Sequence, residues 1–156
     1  MEASFPREEY RSVEEQLALF SRPEYQVYGY LSEQVLAAFL AIWDGPSFVF
    51  LEHFAVDERF RGGGLGSKLL LEWLELDGQT KPVILEIEPP VNEIQKRRAA
   101  FYERNGFVLS NWSYEQPALS DDKEPVPVVL MTYPKVISEQ LFTEVKDWVF
   151  EQVYGR

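Results

Sequence analysis

Between positions 61 and 66 the chain reads Arg61-Gly62-Gly63-Gly64-Leu65-Gly66, so four of its nine glycines fall within five positions. Glycine loses more backbone entropy on folding than any other residue, so such a cluster belongs where backbone must turn sharply or be closely approached. The flanks narrow the choice. Before the cluster, Phe48-Val49-Phe50-Leu51 opens a nearly continuous apolar run to Val56, the pattern of a strand covered on both faces. After it, Leu65, Leu69, Leu70, Trp73 and Leu76 recur at helical spacing. Strand, glycine loop and helix in that order point backbone amides at the positive end of a helix dipole, which suits an anion.

Two common anion loops fit poorly. A phosphate-binding loop of the Walker type ends Gly-Lys-Ser/Thr, whereas the order here is Gly66-Ser67-Lys68. A dinucleotide fingerprint starting at Gly64 would need a third glycine at 69, which is Leu69.

The rest of the chain predicts an α/β domain with a mixed, mainly antiparallel sheet of about six strands. An amphipathic helix is expected over 7–20, with Val13, Leu17 and Phe20 on one side. Strands are expected over 25–31, 35–43 and 47–56, with turns at Ser32-Glu33-Gln34 and Asp44-Gly45-Pro46. The helix after the glycine loop should stop at Asp77-Gly78, and a short strand over 83–88 should stop at Pro89-Pro90. Asn92 and Gln95 have capping-box spacing at the head of a helix that runs to Arg104 and closes at Asn105-Gly106. Strands over 107–114 and 126–133 follow, joined by a polar loop. A last amphipathic helix over 137–153 carries Ile137, Leu141, Val145, Trp148 and Val149 on one face. No linker divides the 156 residues, which read as one domain with a core to 134 and a C-terminal helix from 135.

Composition excludes several chemistries. There is no cysteine, which removes thiol nucleophiles and Cys-ligated metals, and His53 is the sole histidine, which removes multi-histidine metal sites. No metal is expected. No apolar run reaches membrane-span length and no basic-apolar leader opens the chain, so the default expectation is a cytoplasmic protein. A net charge of −11 argues against nucleic acid and anionic membranes as partners. The stretch 59–104 holds eight of the fifteen basic residues and seven of the twenty-six acids, so it carries +1 and the remainder −12. A near-neutral middle in an acidic chain is suited to an anionic ligand; scattered solvated charge is the other reading.

Arg61-Gly62-Gly63-Gly64-Leu65-Gly66 resembles the Arg-x-x-Gly-x-Gly signature of the GNAT superfamily of N-acetyltransferases. Leu51-Glu52-His53-Phe54-Ala55-Val56 before it and Ala100-Phe101-Tyr102-Glu103-Arg104-Asn105-Gly106-Phe107 downstream are similar to the strand and second helix motif of that family. In pattern the chain looks most like the small polyamine-type members. The resemblance implies a sheet splayed at the acetyl-CoA loop, with the C-terminal helix an addition. It implies acetyl-CoA as cosubstrate, its pyrophosphate on the amides of Arg61, Gly62, Gly63, Gly64, Leu65, Gly66 and Ser67. The pantetheine would pair with Phe54, Ala55 and Val56. Gln95 stands where the family often has a pantetheine-binding Asn, and Arg98 is among the outer basic residues expected near the cofactor's phosphates.

Roles in the chemistry follow from the same resemblance. Glu52, a carboxylate in an apolar strand, would be the general base acting through water, or would only bind a cationic acceptor. Tyr102 would protonate the departing thiolate, or else be a buried tyrosine. The Val56 amide would serve as oxyanion donor, placed by the bulge that the family has in that strand. Strand alternation puts His53 on the opposite face from Glu52, most simply as a core residue. Glu86 and Glu88 would line the acceptor pocket or be solvated edge charges. The expected activity is direct acetylation of a primary amine, on a small cationic amine or a lysine-bearing peptide. A non-catalytic acyl-CoA-binding module is the alternative. A third reading is an interaction protein that dimerises through Trp148 and Phe150.

Overall fold

The structure, a computed structural model, describes residues 22–32, 34–76, 81–117 and 124–155. The helix predicted over 7–20 and the stop at Asp77-Gly78 lie outside them. Six strands form one sheet: β1 (Tyr25–Ser32), β2 (Val35–Asp44), β3 (Val49–Val56), β4 (Val83–Ile87), β5 (Val108–Gln116) and β6 (Val126–Tyr133). Their spatial order is β1-β2-β3-β4-β6-β5, and every pairing is antiparallel except β3 with β4. Helix α1 (Leu65–Leu76) connects β3 to β4, and α2 (Glu93–Arg104) connects β4 to β5. Helix α3 (Glu139–Trp148) follows β6. The expected mixed, mainly antiparallel six-stranded sheet is what forms.

Each face of the sheet has its own core. On one, Leu69, Leu70, Trp73 and Leu74 of α1 and Ala99 of α2 bury Leu40, Leu51, Leu85 and Met131. On the other, Val145 of α3 and Val149 and Val153 beyond it bury Trp43, Phe48, Phe50, Ile84 and Leu130. Coverage of both faces is why β3 and β4 are so uniformly apolar.

The parallel pair is short. Val49, Phe50 and Leu51 pair with Val83, Ile84 and Leu85, and no pairing continues beyond them. At its closed end the pair is fastened twice. The Val49 amide donates to the Pro82 carbonyl at 2.9 Å, and Lys81 Nζ donates to Asp44 Oδ1 at 2.7 Å and to the Gly45 carbonyl at 2.9 Å.

Past Leu51 the register of β3 changes. Ala41 of β2 stands opposite His53 while Ile42 stands opposite Leu51, so Glu52 is an extra residue, a β-bulge. Val49 and Leu51 pack toward α1 before it, and Phe54 and Val56 do so after it. Glu52 and His53 are therefore consecutive on the α3 face. The expectation that alternation separates them is overturned: His53 Nε2 lies 3.8 Å from Glu52 Oε2. The bulge expected in this strand lies at Glu52, four residues before Val56.

The C-terminal segment also departs from the pattern. A single helix over 137–153 was expected. Instead Ser138 caps α3, its hydroxyl accepting from the Leu141 amide at 3.1 Å, and after Trp148 the backbone widens into a π turn, Val149–Val153. The rings proposed for a dimer are used within the chain. Trp148 packs edge-on against Trp43 and Phe48, with centroids 6.1 and 5.4 Å away, and Phe150 packs against Tyr114 at 5.2 Å. An amphipathic helix shows its apolar face in sequence but not which surface takes it up. Trp148→Ala should therefore cost about 3 kcal/mol of unfolding free energy, measured by urea denaturation.

Candidate active site

Where β3 and β4 part, a cavity of about 570 Å³ opens through the sheet, a volume typical of a small-ligand site. Residues of β3, β4, α2 and the C-terminal segment line it. On the α1–α2 face it meets the glycine loop. Gly62 and Gly64 have φ of +85° and +78°, a region L side chains rarely adopt, which is the local need for glycine there. A Cβ on Gly62, Gly63 or Gly64 would meet nothing within 4 Å, whereas one on Gly66 would touch Val56 and Phe101. The loop is thus open on its outer side and close-packed where α1 begins.

The backbone of β3 is exposed to the same side. The Asp57 amide donates to the Ala37 carbonyl of β2 at 2.8 Å, so strand alternation turns the Val56 amide the other way, toward the splay. The Val56 carbonyl accepts from Arg61 Nε at 2.9 Å, which ties the loop to the strand end. Ser67 receives the Asn105 side chain at 3.2 Å, and Asn105 also donates to the Phe101 carbonyl at 2.8 Å, joining α1 to the end of α2. An open amide loop beside a strand edge with unused donors fits the phosphates and amides of a coenzyme A thioester.

Tyr102 lines the cavity from α2, between the rings of Phe101 and Phe107, with Phe101 stacked on Phe54. Burial pushes its phenol above the usual tyrosine range, and the Arg98 charge one turn earlier partly opposes this. The phenol therefore keeps its proton at neutral pH. Arg98 lines the cavity and pairs with Glu88 at 3.4 Å. Gln95 does not line it. Its side-chain oxygen accepts from the amides of Val91 and Asn92, and its nitrogen donates to Glu88 at 3.0 Å, so the capping box and Glu88 occupy that side chain.

The α3 face is acidic. Glu52, 5% exposed at its side chain, accepts from Trp43 Nε1 at 3.0 Å. Glu86 occupies the equivalent place on β4, one residue past the last paired position. Its Oε1 accepts from Gln116 Nε2 at 3.0 Å and from the Tyr154 hydroxyl, and Gln116 Nε2 also donates to that hydroxyl at 2.8 Å. Oε2 is shut off from solvent beside the Tyr114 phenol. Burial raises the Glu86 carboxyl above the usual carboxylate range. The phenols of Tyr114 and Tyr154 and the Gln116 amide oppose the rise, while the charge of Glu52 across the splay adds to it.

Of the residues expected at the site, Glu52, Phe54, Ala55, Val56, Arg61, Gly66, Arg98 and Tyr102 converge on the cavity. Gln116 and Tyr154 were missed. Gln116 enters because β5 runs two residues further than the pattern suggests, and Tyr154 because the π turn re-aims the chain end. Glu86 did carry a signal, as the one charge in Val83-Ile84-Leu85-Glu86-Ile87.

A splayed mixed sheet with an open glycine loop at the gap defines the acetyltransferase class, and comparison with known proteins agrees. The Acetyltransferase (GNAT) domain matches residues 23–109, and the chain belongs to that family. A protein of Bacteroides thetaiotaomicron assigned to the GNAT family of acetyltransferases is 31% identical, with a TM-score of 0.89 over 99% of this chain and 88% of its own. The ribosomal-protein-S18-alanine N-acetyltransferase of Escherichia coli shares the fold at 22% identity, with a TM-score of 0.59 over 83% of this chain and 82% of its own. An acetyltransferase of Bacillus subtilis in complex with CoA shares it at 14% identity, with a TM-score of 0.57 over 78% of this chain and 84% of its own. No curated protein matches the chain by sequence. Among the described residues no helix is long and apolar enough to cross a membrane.

The loop can be tested without strain. Gly63→Val adds a side chain to open space outside the positive-φ region, so stability should stay within about 0.5 kcal/mol. Acetyl-CoA affinity, read by calorimetry, should fall about 10- to 100-fold if phosphate–amide bonds are lost. Gly64→Val should lose affinity as much and in addition lower the unfolding midpoint, because its φ is +78°.

Proposed function

We propose that this protein transfers the acetyl group of acetyl-CoA directly to a primary amine on a small cationic molecule or a lysine-bearing peptide. One observation carries the reading: a single cavity joins an anion-suited loop and strand edge on one face of the sheet to two carboxylates on the other. The pyrophosphate would rest on the amides from Arg61 to Ser67 and the pantetheine along Phe54 to Val56. The thioester carbonyl would then lie in the splay, where the Val56 amide can stabilise the oxyanion.

The amine reaches that carbonyl from the acidic face, held by Glu52 and Glu86. Its nitrogen forms the new bond to carbon and yields a proton to a carboxylate, directly or through water. Collapse of the tetrahedral intermediate breaks the carbon–sulfur bond, and Tyr102 hands its proton to the thiolate. A chain with no cysteine has no thiol on which to park the acetyl group, which favours direct transfer.

The acceptor class rests on charge. The α3 side of the cavity presents Glu52 and Glu86, and in a chain of net charge −11 that side concentrates cations and repels acids, an effect that weakens as salt shortens the Debye length from about 10 Å at 0.1 M. Thiol release should be followed with a panel of amines. Polyamines, amino sugars or lysine peptides should lead it, with KM rising with salt. Tyr102→Phe should keep acetyl-CoA affinity and lose about 10²-fold in rate. Binding without thiol release for any amine would make the protein an acyl-CoA-binding module. A best acceptor such as glutamate, with salt-indifferent KM, would overturn the charge argument alone.

A further inference from the structure

Asn105, the residue that closes α2, is a polar side chain buried at 6% exposure. Its backbone N–H donates to the Tyr102 carbonyl at 3.0 Å, as the end of a helix requires. Its side chain does something else. Nδ2 donates twice, to the Phe101 carbonyl at 2.8 Å and to Ser67 Oγ at 3.2 Å. The carbonyl decides which way the amide faces, because an amide oxygen turned toward it would set two acceptors against each other. The nitrogen that faces Phe101 is also the one that faces Ser67, and an amide nitrogen only donates. Ser67 Oγ is therefore the acceptor in this contact, and its own proton points elsewhere.

Where that proton points follows from the start of α1. The bond from the Lys68 amide to the Gly64 carbonyl at 3.1 Å opens the helix ladder, so the amides of Leu65, Gly66 and Ser67 precede it. Ser67 is third in the helix, and a helical side chain leans back toward the N-terminus. Its hydroxyl thus stands over the turn made by Gly63 and Gly64, where a Cβ on either glycine would meet nothing within 4 Å. Among the described residues none accepts the Ser67 proton. An anion resting on the loop amides is placed to take it.

We propose that Asn105 is a positioning residue for the cosubstrate: by donating to Ser67 Oγ it aims the Ser67 hydroxyl at the pyrophosphate of coenzyme A, adding a side-chain donor to the loop amides. This rests on the acetyl-CoA reading of the loop. A serine hydroxyl in a first helical turn can otherwise give its proton to the backbone carbonyl one turn back, here that of Gly63. With one side of Oγ taken up by Asn105, fewer directions are left to the proton. The same side chain holds the Phe101 carbonyl, so one residue sets both the phosphate end of the cosubstrate site and the helical turn that carries Tyr102.

The experiment is calorimetric titration of the full-length protein with CoA, with no acceptor present. Ser67→Ala removes the donor and should weaken CoA about 10-fold or more, the worth of a hydrogen bond to a charged group. Asn105→Ala leaves the hydroxyl in place but unaimed and should weaken CoA about 3- to 10-fold. It should also lower the unfolding midpoint, as the loss of a purely structural contact would. The double variant separates the two roles: once position 67 is alanine, Asn105→Ala should cost no further affinity. Asn105→Ser, too short to reach both partners, carries the same comparison if the alanine variant does not fold.

Wild-type affinity for CoA in Ser67→Ala, or in both Asn105 variants, would overturn the proposal. So would an Asn105 penalty of equal size with and without the Ser67 hydroxyl, because Asn105 would then serve the fold alone. In either case the wild type still binds CoA and the acetyl-CoA reading stands. A wild-type protein that binds no CoA would overturn the proposal together with that reading.

Discussion

Everything at the site depends on β3 and β4 ceasing to pair after Leu51 and Leu85. A sheet ordinarily satisfies its backbone by continuing, and an unpaired stretch within it must be held open by something other than hydrogen bonds. Here the bulge at Glu52 does this. By adding one residue it keeps Phe54 and Val56 packed under α1 and α2 and leaves Glu52 and His53 side by side on the other face. The strand stays tied to β2 throughout, so the separation is confined to one side of it.

The gap divides two electrostatic environments that would otherwise conflict. Backbone amides and arginines belong to the α1–α2 face and acids to the α3 face, as an anionic donor and a cationic acceptor require. Glu88 illustrates how narrow the division is: at the end of β4 it is taken up by Arg98 and Gln95, while Glu86, two residues earlier, is taken up by Tyr154 and Gln116. A buried carboxylate such as Glu86 is costly unless hydrogen-bonded, and Gln116 and Tyr154 supply those bonds.

Features that depend on short-range order were legible in the sequence. The glycine loop, the capping box of α2, the short apolar run of β4 and the apolar face of α3 are all set by spacing within a dozen residues. The bulge was not, because nothing in Leu51-Glu52-His53-Phe54 differs from an ordinary strand; only the pairing with β2 reveals the extra residue. Gln95 was assigned to the cofactor through its place in a motif, yet its side chain serves the helix start, a local demand that a position-by-position comparison overlooks. Tyr154 was invisible for a different reason. Its importance comes from a widened helical turn and a contact 68 residues away. The residues that recognise the donor were mostly readable and those that surround the acceptor mostly were not, since the former come from one contiguous motif and the latter from four separate elements.

The fastening at Lys81 gives the gap a mechanical character. With Asp44, Gly45 and Pro82 bolting the strands at one end, the two arms behave as a clothes-peg whose spring lies beside the bolt. Any widening to admit a bulkier acyl chain must come from bending the free tips near Val56 and Ile87. Those tips carry the glycine loop and the head of α2, so a longer acyl group would be admitted only by displacing the very backbone that grips its carrier.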